Sequence, residues 1–283
     1  MEHRGTEMMD RIRTLLRLTG VEILKFRLKP VTWVTWIVLF LFPALIEVFL
    51  AVRVSREQAV FPQVIRLLYA GEVLLVVAVT TVVVSVMALG NDYELGIVRT
   101  ILVGGIERHQ FVVSKVLATV VAALANGCAY MVGTLLATTV THLTLSDVPL
   151  REAVGMSLVW RVLESVGVVG LVGFCFAGVV VLALVLGRSA WVGMLAGLGA
   201  FLADLAVGGL NVLPSNLYRY TVSYHTLSLL ARHVASGTGL EESLGGYELS
   251  TPGRALVVLL IYGCALTLGA VLVFRRQDLM LKV

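Results

Sequence analysis

The sequence predicts an all-α, polytopic membrane protein: six transmembrane helices preceded by an amphipathic helix. Three observations lead there. Of 283 residues, 58% are hydrophobic and only 14% charged, and the mean hydropathy is +0.94. A soluble domain carries about a quarter charged residues, so this chain lacks the charge to cover a water-facing surface. Charges are also missing from several stretches long enough to cross a bilayer, which takes about 20 helical residues. Finally, the basic residues cluster at the two ends and in one internal loop.

The first 30 residues are read as a helix in the cytoplasmic interface. Met8, Ile12, Leu15, Leu16, Ile23 and Phe26 fall on one arc of a helix, while Arg13 and Arg17 lie off it. Lys29 and Pro30 then break the helix and turn the chain into the membrane as an elbow. A densely charged start of this length does not resemble a cleavable signal peptide.

Six spans follow, at roughly 31–52, 67–90, 112–141, 162–187, 190–212 and 254–274. The third is longer than a bilayer requires, so it tilts or projects beyond the lipid. Gly and Val are frequent throughout. In lipid the backbone has no other hydrogen-bond partner, so helices hold regardless, and Gly lets neighbours approach closely. With this topology, 14 of the 22 Lys and Arg residues fall on the side that holds both termini. The positive-inside rule places that side in the cytoplasm. The expected location is the cell membrane, as a multi-pass protein and a single transmembrane domain over 1–283. Cys128, Cys175 and Cys264 each sit in an apolar run without metal-ligand or CxxC spacing, so no metal site or disulfide framework is expected.

One internal loop on the basic side, 91–110, is substantial. Asn91 or Asp92 is positioned to cap a short helix, and Gly104 with Gly105 to end it. A short helix, a turn and re-entry into the membrane make a docking surface for a cytoplasmic partner.

The loop residues Asp92, Tyr93, Glu94, Gly96, Arg99, Thr100, Leu102, Arg108, Phe111 and Lys115 resemble the loop of permease subunits of ABC type-2 transporters. Ile97 stands where that family usually has Thr. The layout is similar too: elbow helix, six spans, both termini inside and a long outer segment, here 213–252. The resemblance implies an ABC type-2 permease fold and a membrane subunit of an ATP-driven transporter, an exporter. Loop 91–110 would be its coupling helix, docking in a groove of a separate ATP-binding subunit. Asp92, Glu94, Gly96, Arg99, Arg108 and Lys115 would serve that coupling. Arg108 and Lys115 equally suit ordinary positive-inside anchors. The resemblance further implies a dimer with a second copy or a sister permease, and short re-entrant helices in the outer segment.

No catalytic residues are expected in this chain. A phosphate-binding loop needs Lys followed by Ser or Thr, and the four lysines precede Phe26, Pro30, Val116 and Val283. ATP and magnesium therefore belong to the partner ATPase, with no cofactor and no nucleic acid bound here. GxSG, HExxH and EExxxR are absent, against an intramembrane protease. The alternative class is an ion-coupled secondary carrier or channel without an ATPase partner. Carriers of that kind often carry an internal repeat with paired broken helices, which this sequence lacks.

Four carboxylates lie in or at the edge of spans: Glu47, Glu72, Glu164 and Asp204. Charges in lipid are costly and face a bundle interior or water. On the assigned topology all four fall in the outer half. They read either as an acidic vestibule on a translocation path or as structural partners of Arg53, Arg66, Arg161 or hydroxyls.

Overall fold

The described part of the computed structural model comprises residues 2–53, 73–145, 156–209, 216–235 and 250–277. Every regular element among them is helical. In chain order they are α1 (Glu2–Leu28), α2 (Pro30–Arg53), α3 (Val73–Ser85), α4 (Asn91–Glu94), α5 (Ile97–Val103), α6 (Arg108–Leu145), α7 (Met156–Gly187), α8 (Ala190–Asp204), α9 (Val222–Ala235) and α10 (Pro252–Arg276). A π-helical turn, Val86–Gly90, joins α3 to α4 without a break, and a second, Leu205–Gly209, extends α8.

Five of these stretches are long and apolar enough to cross a bilayer: Val76–Glu94, Arg108–Ala137, Leu163–Gly187, Ala190–Gly208 and Pro252–Arg276. The described residues form only helices, and the chain is a polytopic membrane protein. Within α2 the described apolar stretch is shorter, Pro30–Phe42, although the helix continues to Arg53. The 38 residues of α6 make a rod of about 57 Å at 1.5 Å per residue. This exceeds the hydrocarbon core, as the length of its charge-free run predicts.

Helices α6 and α7 form the centre. The first packs against α1, α2, α3, α7 and α10, and the second also against α3, α8, α9 and α10. The main core joins them through Val112, Val116, Val180, Val181 and Leu184, with Val82 of α3 and Phe274 of α10. By contrast α8 and α10 keep most of their surface outside the fold: Trp191, Leu195 and Leu202 on one, and Val257, Ile261 and Leu268 on the other, are at least half exposed. Helices exposed in this way need an apolar solvent.

The close fit of α2 on α6 depends on one missing side chain. A Cβ on Gly133 would lie 2.3 Å from the backbone oxygen of Phe40, and no rotamer change relieves a clash with backbone. Gly133→Ala should push the two helices apart at a cost of about 1–3 kcal/mol, read as a lower melting temperature in detergent. Gly167→Ala, with nothing within 4 Å of the new methyl, is the matched control and should leave melting unchanged.

Candidate functional site

The candidate site is built where α1, the α3–α5 segment and the start of α6 meet. Helix α3 does not end at the loop. It widens through the π turn Val86–Gly90 and runs on to Glu94. Leu95 and Gly96 then reverse the chain, with Gly96 at φ 67°, a left-handed conformation that suits glycine. Helix α5 follows for seven residues. It ends with the Gly104 amide bonded to the Thr100 carbonyl and Gly105 at φ 88°, the glycine stop read from the sequence. The expected cap is not formed. Asn91 and Asp92 continue an unbroken helix, so no free amides are present for them to bind, and the residue preceding α5 is Gly96, which has no side chain to cap with.

The Asp92 carboxylate is used otherwise. Lys115, two turns into α6, is only 1% exposed. Its ammonium donates to Asp92 Oδ2 in a very close contact and lies 2.7 Å from Glu22 Oε2 of α1. It also donates to the Ala88 carbonyl at 3.0 Å. Lys25 completes the ring, 2.7 Å from Glu22 Oε1 and 3.7 Å from Asp92 Oδ1. Two carboxylates alternate with two ammonium groups, so the cluster is neutral. Burial opposes the charge on Lys25, but the hydrogen bond and charge of Glu22 and the charge of Asp92 outweigh it and hold its pKa above the usual value. Lys29 donates to the Met87 carbonyl at 3.2 Å, so the π turn supplies carbonyls to two different lysines. Such turns interrupt the regular backbone ladder and concentrate at functional sites.

Thus α1 docks by a mixed face, polar at Thr19 and Glu22 and apolar at Phe26, which belongs to the predicted arc but is buried against Ala88 and Ala118. Thr19, Glu22 and Phe26 are buried, spaced three and four apart, whereas Ile12, Leu16 and Ile23 of the predicted apolar arc are 46%, 63% and 36% exposed. An interfacial helix has this pattern, its apolar side left for lipid.

Arg108 serves the same end of the bundle. Its guanidinium donates to the carbonyls of Arg275 and Gln277, both at 2.8 Å, closing the C-terminus of α10 in favourable register with the helix dipole. Tyr93 and Phe111 pack on either side of Phe274. Glu107 pairs with Arg11 at 3.7 Å, an exposed contact of small worth.

Of the six predicted coupling residues, three therefore stand in the base, Asp92 and Lys115 in the ion cluster and Arg108 on α10, while Gly96 makes the exposed turn at the tip. Glu94 and Arg99 are exposed, and neither makes an ion pair among the described residues. Beside them Leu95 is 71% and Val103 80% exposed. The sequence reading missed Glu22 and Lys25. Glu22 is the sole acidic residue between Asp10 and Glu47, and one acid in so basic a segment was the available signal.

The membrane carboxylates are elsewhere. Asp204 ends α8, about 20 Å along that helix from its start beside the loop. It accepts from the amides of Val222 at 2.6 Å and Ser223 at 2.8 Å and from the Ser223 hydroxyl. Thr221 Oγ1 takes the next amide, Tyr224, at 3.1 Å, so the first free amides of α9 are all bound. Glu164 lies in the third turn of α7 rather than at its start. Glu72 and the side chain of Glu47 lie outside the described residues, as do the side chains of Arg53, Arg66 and Arg161.

Comparison of the chain with known protein families and with curated proteins finds no match to either.

Lys115→Met should leave two buried carboxylates sharing Lys25 alone, at a cost of about 3–5 kcal/mol. Melting curves should give a smaller loss for Glu22→Gln combined with Lys115→Gln than the sum of the single changes. Additive losses would mean that the two residues do not interact. For Asp204, exchange of hydrogen for deuterium at Val222 and Ser223 reports directly on the cap. Asp204→Ala should accelerate it, with about 2 kcal/mol lost from α9, and Asp204→Asn should do so less.

Proposed function

We propose that this chain is the membrane-spanning permease subunit of an ATP-driven ABC transporter of the type-2 class, working as an exporter. Helix α2 is the sixth crossing in this reading, and both termini, α1 and the 91–110 loop are cytoplasmic. The chain pairs with a second copy or a sister permease, and ATP and magnesium are bound by a separate ATPase subunit.

The observation that carries the proposal is the division within the loop. Its base is fixed to α1 and α6 by buried ions. Its tip exposes two large apolar side chains, Leu95 and Val103, beside Glu94 and Arg99. Apolar groups ringed by unpaired charge are what a protein partner covers. A rigid base is what transmits a push on that tip to the membrane helices. The resemblance of residues 92–115 to the coupling loop of type-2 permeases supports the same assignment, and the basic bias of this end supports its cytoplasmic side.

Affinity purification of the tagged chain from its native membrane should recover an ATPase. Leu95→Asp and Val103→Asp should each reduce that recovery by about tenfold or more, the scale of an interface hot spot, while the melting temperature of the permease stays unchanged because both sites are exposed. A chain that transports on its own, with no ATPase retained and no effect of either substitution, would favour an ion-coupled carrier and overturn the assignment.

A further inference from the structure

A cavity of about 80 Å³ lies between α2, α3 and α6, walled by Thr32, Thr35, Thr80, Val83, Met87 and Asn126 among others. At this volume it holds more than a single water, which needs about 10–15 Å³.

Its chemistry is uneven. Asn126 is 2% exposed. Its Oδ1 accepts from Trp36 Nε1 at 2.9 Å. The indole can only donate, so the orientation of the amide is fixed and its NH2 group faces away from Trp36. That Nδ2 has no hydrogen-bond partner among the described residues. A buried donor without an acceptor is costly and calls for one. The hydroxyls of Thr35 and Thr80 each give their proton to their own helix, at 2.8 and 2.7 Å, which leaves their oxygens as acceptors only. The rest of the wall is largely apolar.

A cation is bonded to one of the wall residues. Met87 lines the cavity and its carbonyl accepts from Lys29 Nζ. Unlike Lys25 and Lys115, Lys29 forms no ion pair among the described residues. Burial lowers its pKa, with Asp92 partly opposing, so the ammonium sits where an added anion would be welcome. The outer flank is apolar, with Val31, Val34 and Val38 each more than half exposed. The mouth therefore opens toward acyl chains.

We propose that this crevice binds one anionic membrane phospholipid. Its phosphate sits on Lys29, an ester carbonyl accepts from Asn126 Nδ2, and the first part of an acyl chain fills the space between α2 and α3. The seven residues from Lys29 to Trp36 rise about 10 Å, the reach from a lipid phosphate to its ester groups and first methylenes. Anionic lipid is preferred because Lys29 presents an uncompensated positive charge. The inference is independent of whether the chain transports anything.

The test is a lipid titration of the delipidated, purified chain, followed by native mass spectrometry. The probes are dioleoyl phosphatidylglycerol and dioleoyl phosphatidylcholine. The wild type should retain one phosphatidylglycerol at concentrations where phosphatidylcholine is lost. Lys29→Gln should abolish the preference and Lys29→Arg should keep it. Val83→Phe, which fills the crevice without altering Asn126, should reduce binding of both lipids, with melting curves confirming that the variant is folded. Equal retention of the two lipids by the wild type would overturn the proposal. So would phosphatidylglycerol retention by Lys29→Gln and Val83→Phe at the wild-type level, or displacement of the lipid by inorganic phosphate alone.

Discussion

The burial of the Lys115 ammonium is the constraint on which this end of the protein depends. A lysine removed from water is tolerated only with opposite charge and full hydrogen bonding, because desolvation alone costs several kcal/mol. Here the partners come from two other segments: Glu22 from α1 and Asp92 from the continuation of α3. Three parts of the chain, far apart in sequence, are therefore obliged to meet at one point. Apolar contacts in a membrane bundle hold helices together with little directional preference, since lipid is as apolar as the side chains. An ion cluster is directional, and it fixes which face of α1 turns inward and how the 94–107 tip is aimed.

The second consequence is mechanical. Arg108 ties the opposite edge of the same loop to the end of α10. The tip is thus held by charges and hydrogen bonds on both flanks while Leu95 and Val103 remain outside. If the tip is displaced, α1, α6 and α10 must respond together, because none can move without opening a polar contact. At the other end, Asp204 joins α8 to α9 in a comparable way, by a carboxylate on helix amides. The two ends are stapled by different chemistry, and α6 and α7 run between them.

Much of the architecture was legible in the sequence because lipid imposes a one-dimensional signal. Charge-free runs located the long apolar helices, and the stop at Gly104 and Gly105 followed from residue type. Of the apolar arc read on α1, Ile12, Leu16 and Ile23 are exposed, whereas Phe26 is buried. What escaped was pairing. Asp92 looked like a cap because sequence spacing cannot tell whether a helix begins at a residue or passes through it. The π turn, which has no clear sequence mark, carries α3 straight past. Asp204 in an apolar run read equally as a wet carboxylate or a structural one. The fold gives it the start of α9, eighteen residues later, a partner that no local pattern announces. Glu22 was visible as an isolated acid, but its meaning required knowing that α6 brings a lysine to it.

The exposed apolar face of α1 has a bearing on how the molecule is made. Glu22 leaves the ribosome long before Asp92 and Lys115 do, so α1 has no polar dock waiting for it when it is made. Its Ile12, Leu16 and Ile23 side give it a place to rest on the bilayer surface in the meantime. The anchorage of α1 is then among the last contacts to close, once α6 has inserted and carried Lys115 to its depth. Assembly of this end runs against the order of translation, and a chain that loses α6 leaves Glu22 and Lys25 of α1 without the lysine that joins them to Asp92.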